Sequence, residues 1–329
     1  MTSGPVPPAD SIPPPAPARH ALVPELAAVQ AGGKRAVARA LAAVETARGQ
    51  PALVALLDAA AKAAKAHVLG LTGPPGVGKS TLTNALVRRA REMGRTVAVL
   101  AVDPSSRRTG GALLGDRARM KTDPDDQGVF VRSMAARDRL GGLSDDSVAA
   151  VVLLRAVYDL VIVETVGVGQ SEADISLVAD TVVLCIQPAS GDSLQFMKAG
   201  VMELPDIIVV TKADMAEVAR RAASEVAGAL SLSGSAAAGW TVPVIRLSAA
   251  TGEGLGAFEA AVDRHLAFLD ADGRRAALRA RQEEKWVEEM VRVRFGTHGL
   301  ARARKLPQGA SSPFAREAEL ARQLTSGQD

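Results

Sequence analysis

The 329-residue chain carries 39 Lys and Arg against 36 Asp and Glu, a net charge of +3, so it lacks the concentrated basic surplus that tracks a nucleic-acid backbone. Hydrophobic residues make up 47% but aromatics only 3%, which suits a sizeable core of Val, Leu, Ile and Ala, as in a parallel sheet covered by helices. A single cysteine, Cys185, excludes an internal disulfide framework and fits a reducing compartment, and the scattered His20, His67, His265 and His298 offer no zinc-site spacing.

Residues 1–21 are rich in Pro and are expected to be a disordered tail. They lack a basic stretch followed by an apolar one, so they do not read as an export signal. Over 22–66 the pattern is helical, with apolar residues at three-to-four spacing in Lys34–Ala47 and a preponderance of helix formers in Ala52–Ala66. The pattern then switches to short Val/Ile/Leu runs alternating with longer helical segments, the mark of right-handed βαβ crossovers and a mostly parallel sheet. Strands are predicted at Val68–Thr72, Thr96–Val102, Gly128–Arg132, Leu160–Glu164, Thr181–Ile186, Ile207–Thr211 and Val242–Leu247. After about Asp270 the strands cease. Arg274–Arg294 predicts one long charged helix, with Leu278, Trp286, Met290 and Val293 for an apolar stripe, and Pro313–Leu324 predicts a second. The expected organisation is an α/β domain over 67–270, a helical extension over 22–66 and a helical arm over 271–329 suited to joining two copies. No run reaches bilayer length, so a cytoplasmic protein without membrane or nucleic-acid partners is expected.

The chemistry concentrates at the ends of the predicted strands. Gly73-Pro74-Pro75-Gly76-Val77-Gly78-Lys79-Ser80 satisfies G-x-x-x-x-G-K-[ST], follows a strand and opens a helix at Thr81. Its glycines let backbone N–H groups close around phosphates at a helix N-terminus whose dipole favours anions. Lys79 is expected on the β- and γ-phosphates and the Ser80 hydroxyl on Mg²⁺. The core is therefore expected to be a P-loop nucleotide hydrolase.

Thr211-Lys212-Ala213-Asp214 follows the sixth strand and resembles the guanine-reading N-K-x-D element. There, the Asp214 carboxylate would accept both N–H donors of guanine's Watson–Crick edge, and Thr211 stands in place of the usual Asn. Leu247-Ser248-Ala249 follows the last strand and resembles the loop that supports the guanine carbonyl through Ser248 and Ala249. Glu164-Thr165-Val166-Gly167 ends another apolar strand, where an acid would hold a Mg²⁺-bound water and Gly167 would face the γ-phosphate. Asp103 ends the second strand, and Asp116 closes the Gly-rich segment 110–116, which reads as a switch loop. Lys79, Asp103 and Glu164 are thus the candidate catalytic residues, and Ser80, Asp103, Asp116 and Glu164 the candidate metal shell. The position that carries a water-orienting Gln in Ras-type GTPases is Val168, so slow intrinsic turnover, accelerated by a partner, is expected.

In this order, G-P-P-G-V-G-K-S, A-V-D-P-S-S, G-G-A-L-L-G-D-R-A-R-M and V-E-T-V-G-V-G-Q-S-E resemble the MeaB/ArgK family of GTPases, of the SIMIBI class, from about Gly33 to Leu324. The resemblance implies a GTPase chaperone that gates cofactor loading and protection of an adenosylcobalamin-dependent acyl-CoA mutase, such as methylmalonyl-CoA mutase. It also implies GTP/GDP and Mg²⁺ as ligands and a homodimer joined through C-terminal helices. The family's mutase-signalling loop matches the segment 188–198, and the resemblance carries Asp192 and Lys198 over as coupling groups. Two other readings compete: a small-molecule (amino-acid) kinase, for which no acceptor pocket with a base is marked, and a metallochaperone GTPase, which one apparently buried cysteine serves poorly.

Overall fold

A computed structural model describes residues 23–103, 123, 125–135, 143–165, 174–188, 205–233, 239–307 and 312–325. Three helices lead the chain: α1 (Leu26–Ala31), α2 (Gly33–Thr46) and α3 (Pro51–Lys62), the last opened by Pro51 where a missing N–H costs nothing. Then come β1 (His67–Thr72), α4 (Lys79–Glu92), β2 (Val97–Asp103), β3 (Val129–Ala135), α5 (Asp145–Val157), β4 (Leu160–Thr165) and β5 (Thr181–Ile186). The core is completed by β6 (Ile207–Val210), α6 (Ala216–Ser233), β7 (Val244–Arg246) and α7 (Leu255–Asp270). The arm consists of α8 (Arg274–Ala303) and α9 (Pro313–Thr325). Ser144 caps α5, its hydroxyl accepting from the Ser147 amide at 3.2 Å, and Asp145 and Asp146 complement the positive end of the same helix.

All seven expected strands are present in one sheet, ordered β3-β2-β4-β1-β5-β6-β7, and every pair is parallel. Strand β7 is shorter than its apolar run suggests because it sits at the edge and pairs only with Ile208–Val210 of β6. The unbroken apolar runs follow from burial on both faces. Val68, Ala98, Leu100, Val161 and Val163 point to one side, into a core built with α2, α3 and α5. Leu69, Leu71, Val97, Val99 and Ile162 alternate to the other, where Leu82 and Leu86 of α4 and Phe258 of α7 cover them. Helix α6 covers Leu184, Ile186, Ile208 and Val210 with Ala219 and Val226.

The expected Arg274–Arg294 helix continues to Ala303 but breaks at Gly296 (φ 68°, ψ −171°), a conformation open mainly to glycine. Trp286, Met290 and Phe314 of α8 and α9 join the core formed by α2, α3 and α5, with the Trp286 and Phe314 rings 5.0 Å apart. Of the expected stripe, Val293 is not buried: it is 58% exposed, one turn before that break. The start of α8 is tied to the sheet by Arg279, which donates to both oxygens of the fully buried Asp180 at 2.8 and 2.7 Å. Among the described residues no helix is long and apolar enough to cross a membrane.

Candidate nucleotide site

Because every strand of the sheet is parallel, the carboxyl ends of β1, β2, β4, β5, β6 and β7 open on one edge. This is where ligands of open α/β sheets bind. The phosphate loop joins β1 to α4 there, and α4 begins at Lys79 itself. Gly73 (φ 133°) is forced: a Cβ at this position would stand 2.1 Å from the Cys185 carbonyl oxygen, so only a glycine lets the loop lie on the backbone of β5. Val77 is buried beneath the loop, Pro74 and Gly78 are half-buried, and Pro75, Gly76 and Thr81 are exposed.

Lys79 is 6% exposed and its ammonium folds back onto the loop, donating to the carbonyls of Gly73 at 2.7 Å and Pro74 at 3.0 Å. The loop thus holds the lysine at its own rim, within a side-chain swing of any phosphate it encloses. Ser80 Oγ donates to Glu164 Oε1 at 2.6 Å and Thr83 Oγ1 to Glu164 Oε2 at 2.9 Å. Glu164 is 4% exposed, and beside it the hydroxyls of Thr165 and Thr72 are 3.2 Å apart. A carboxylate buried this far needs such donors. The spacing of Ser80 and Thr83, one turn apart on α4, was the available signal for Thr83, a residue the motif alone does not single out.

Asp103 ends β2 one residue beyond the Val102–Thr165 pair, which brings its backbone to the same edge as Glu164. Asp116, Gly167, Asp192 and Lys198 lie outside the described residues, as does the side chain of Asp103. A hydroxyl and a carboxylate in contact form a hard-oxygen set that suits Mg²⁺, which binds proteins through one or two such groups and otherwise through phosphate and water. Among the described residues no cluster of three or more His, Cys, Asp or Glu comes together that would suit a softer, all-protein metal site.

The two loops expected to read the base are also brought together. The Ala213 amide donates to the Leu247 carbonyl at 3.2 Å, joining the loop after β6 to the loop after β7. Thr211, buried, places both its amide (2.8 Å) and its hydroxyl (3.0 Å) on the Ile186 carbonyl, so its side chain anchors the loop to β5. Lys212 sits at φ 55°, a strained conformation for a non-glycine residue, and its ammonium reaches Gln187 Oε1 at 2.9 Å. Asp214 is exposed at the rim. Ser248 is buried, its amide donating to the Glu253 carbonyl at 2.9 Å, and Ala249 is half-buried beside it. Cys185 behaves as a small hydrophobe, burial pushing its thiol up to about 12.

Residues 37–303 match the family model described as the methylmalonyl Co-A mutase-associated GTPase MeaB. The chain belongs to the MeaB family. A Pyrococcus horikoshii protein named as a GTPase is 44% identical over 263 residues, covering 79% of this chain and 82% of that protein. The mouse mitochondrial methylmalonic aciduria type A homolog is 38% identical over 258 residues, 74% of this chain and 62% of its own. Among solved structures, a LAO/AO transport system kinase superposes with a TM-score of 0.66 at 27% identity, covering 92% of this chain and 95% of that one. As a MeaB-family member the chain is a P-loop GTPase.

Proposed function

We propose that this GTPase serves a cobalamin-dependent acyl-CoA mutase of the methylmalonyl-CoA class, gating its cofactor loading and protecting it. The carrying observation is the family match over residues 37–303, together with the contact between the phosphate-loop Ser80 and the strand-end Glu164. GTP would enter over the carboxyl edge of the sheet. Lys79 leaves the Gly73 and Pro74 carbonyls for the β- and γ-phosphate oxygens, and the loop from Gly73 to Thr81 encloses the phosphates with the backbone N–H groups of its non-proline residues. Ser80, with Glu164, Asp103 and Asp116, is the set that would hold Mg²⁺, which neutralises charge developing on the phosphate oxygens when bound. Gly167, three residues after Glu164, is assigned to the γ-phosphate side. Asp214 selects guanine, Lys212 lies along the base, and Thr211, Ser248 and Ala249 shape the loop. Water attacks the γ-phosphorus, the bond to the β-phosphate oxygen breaks, and GDP and phosphate leave.

Loss of the γ-phosphate then releases the segments around Asp116 and Gly167. Asp192 and Lys198 would pass that change to the mutase. The organisation that goes with this reading is a tail (1–21), a helical extension (22–66), a GTPase domain (67–270) and a dimerising arm (271–329) in a cytoplasmic homodimer. Sedimentation of the purified chain with methylmalonyl-CoA mutase, in GDP and in a non-hydrolysable GTP analogue, tests the reading. A complex whose affinity differs between the two nucleotides supports it, and no complex in either state overturns it.

A further inference from the structure

Glu164 ends β4 with each carboxylate oxygen taken by a different hydroxyl of α4: Ser80 on Oε1 at 2.6 Å, Thr83 on Oε2 at 2.9 Å. Positions 80 and 83 share a helix face, so one carboxylate reaches both. The two donors sit in different surroundings. Ser80 is half-buried at the start of α4, whereas Thr83 is 0% exposed, on a helix that beyond Lys79 otherwise buries only apolar residues, Leu82, Ala85, Leu86, Val87 and Ala90. Valine has the shape of threonine and would suit that apolar setting, so what threonine adds is one O–H. A hydroxyl wholly removed from water is costly unless bonded, and this one bonds to Glu164.

We propose that Thr83 is a positioning residue, pinning Oε2 so that Oε1 stays turned to the Ser80 hydroxyl that would hold the nucleotide's Mg²⁺. The inference rests on the GTP·Mg²⁺ reading of this site. Thr83 is fully buried on α4, and its hydroxyl reaches the site through Glu164. Without the Thr83 hydroxyl, Oε2 loses that donor, and the terminal torsion of the carboxylate, a broad and soft one, holds Oε1 on Ser80 less firmly. Partners that orient a metal-binding group in this way govern metal affinity more than they govern binding of the rest of the ligand.

Full-length protein carrying Thr83→Val, Thr83→Ser or Glu164→Gln is compared with wild type in two assays. Affinity for a fluorescent GDP analogue is measured across a Mg²⁺ titration, and kcat and KM for GTP are measured at saturating Mg²⁺. Thr83→Val is expected to raise the Mg²⁺ concentration at half-effect about ten-fold or more. It should also lower kcat while moving KM less than about two-fold, and Thr83→Ser should restore both values, since it keeps the O–H. A Mg²⁺ midpoint for Thr83→Val within about two-fold of wild type, with Glu164→Gln strongly shifted, overturns the inference and leaves the site reading standing. An unshifted Glu164→Gln removes Glu164 from the metal set, and the inference falls with it. Should Thr83→Val fail to fold, Thr83→Ala against Thr83→Ser gives the same comparison: a shift confined to Ala supports the role, and equal midpoints overturn it.

Discussion

Replacing Arg279 with Met would leave a carboxylate sealed in the molecule without its cation. Asp180 is fully buried between the starts of β1 and β5, and Arg279 reaches over it from α8, donating at 2.8 and 2.7 Å and to the Ala66 carbonyl at 2.9 Å. Burial alone would raise the Asp180 pKa, but the guanidinium and the Val68 amide more than offset it and hold the group below its ordinary value. Breaking a buried pair by removing one partner costs about 3–5 kcal/mol, because the remaining charge keeps its desolvation penalty. At about 2–4 °C per kcal/mol for a domain approaching this size, the melting temperature should fall by about 6–20 °C.

The pH dependence follows from the sign of the shift. In the wild type the folded pKa lies below the unfolded one, so the pair's contribution is present above the unfolded value and is lost as pH falls through the folded value. In Arg279→Met the buried carboxyl loses the guanidinium that does most to hold it charged, and burial then pushes its pKa up. The deficit is therefore largest near neutral pH and narrows as acid protonates Asp180. Melting followed by circular dichroism between about pH 7.5 and pH 4.5 reads this out. A variant that melts within a degree or two of wild type, or whose deficit is constant across that range, refutes the reasoning.

His67 donates or accepts to Thr181 Oγ1 at 2.8 Å, Thr181 meets His265 at 2.7 Å, and burial, with a smaller part from His265, Arg275 and Arg279, lowers the His67 pKa to about 4 despite Asp180. The unfolded chain then binds the extra proton between about pH 6.5 and 4, so stability drops on acidification through that window, by roughly 3 kcal/mol in all. His67→Gln should flatten that part of the urea-midpoint profile; an unchanged slope would show that another group sets it. Gly73→Ala places a Cβ 2.1 Å from the Cys185 carbonyl oxygen, a backbone atom that has little room to move, whereas Gly76→Ala at φ 74° meets only open space. The second should cost about 1–3 kcal/mol of conformational strain, and the first clearly more, with loss of nucleotide binding; equal melting temperatures would contradict the loop geometry. Asp214→Asn should weaken GTP about a hundred-fold, the loss of two hydrogen bonds to a charged acceptor, and admit xanthosine triphosphate. Unchanged base preference in competition binding would remove Asp214 from that role.

Much of this was legible in the sequence, because the signals are local or periodic. Seven apolar runs gave seven strands, since a strand buried on both faces needs no alternation and leaves an uninterrupted Val/Ile/Leu stretch, as in Thr181–Ile186. The phosphate loop was legible because G-x-x-x-x-G-K-S between a strand and a helix has few other uses, and the structure brings Ser80 onto Glu164, 84 positions away. What escaped were contacts that depend on register across elements. Thr83 looks like any helix residue until β4 places Glu164 against it, and Arg279 reads as one of many charges on α8 until Asp180 is seen beneath it. Thr211, where Asn is usual, proved to anchor its loop through the Ile186 carbonyl, a use visible only once β5 and β6 are side by side. The end of the apolar stripe was missed: Val293 is 58% exposed and Gly296 breaks α8 one turn further on.

The most direct test of the account is the rate of GTP hydrolysis by the purified protein, with ATP as control and Lys79→Ala as the inactive reference, measured with and without methylmalonyl-CoA mutase. Slow, GTP-specific turnover that rises several-fold when the mutase is added, and is absent in Lys79→Ala, is the predicted result. Equal use of ATP, or a GTP rate indifferent to the mutase, would contradict it.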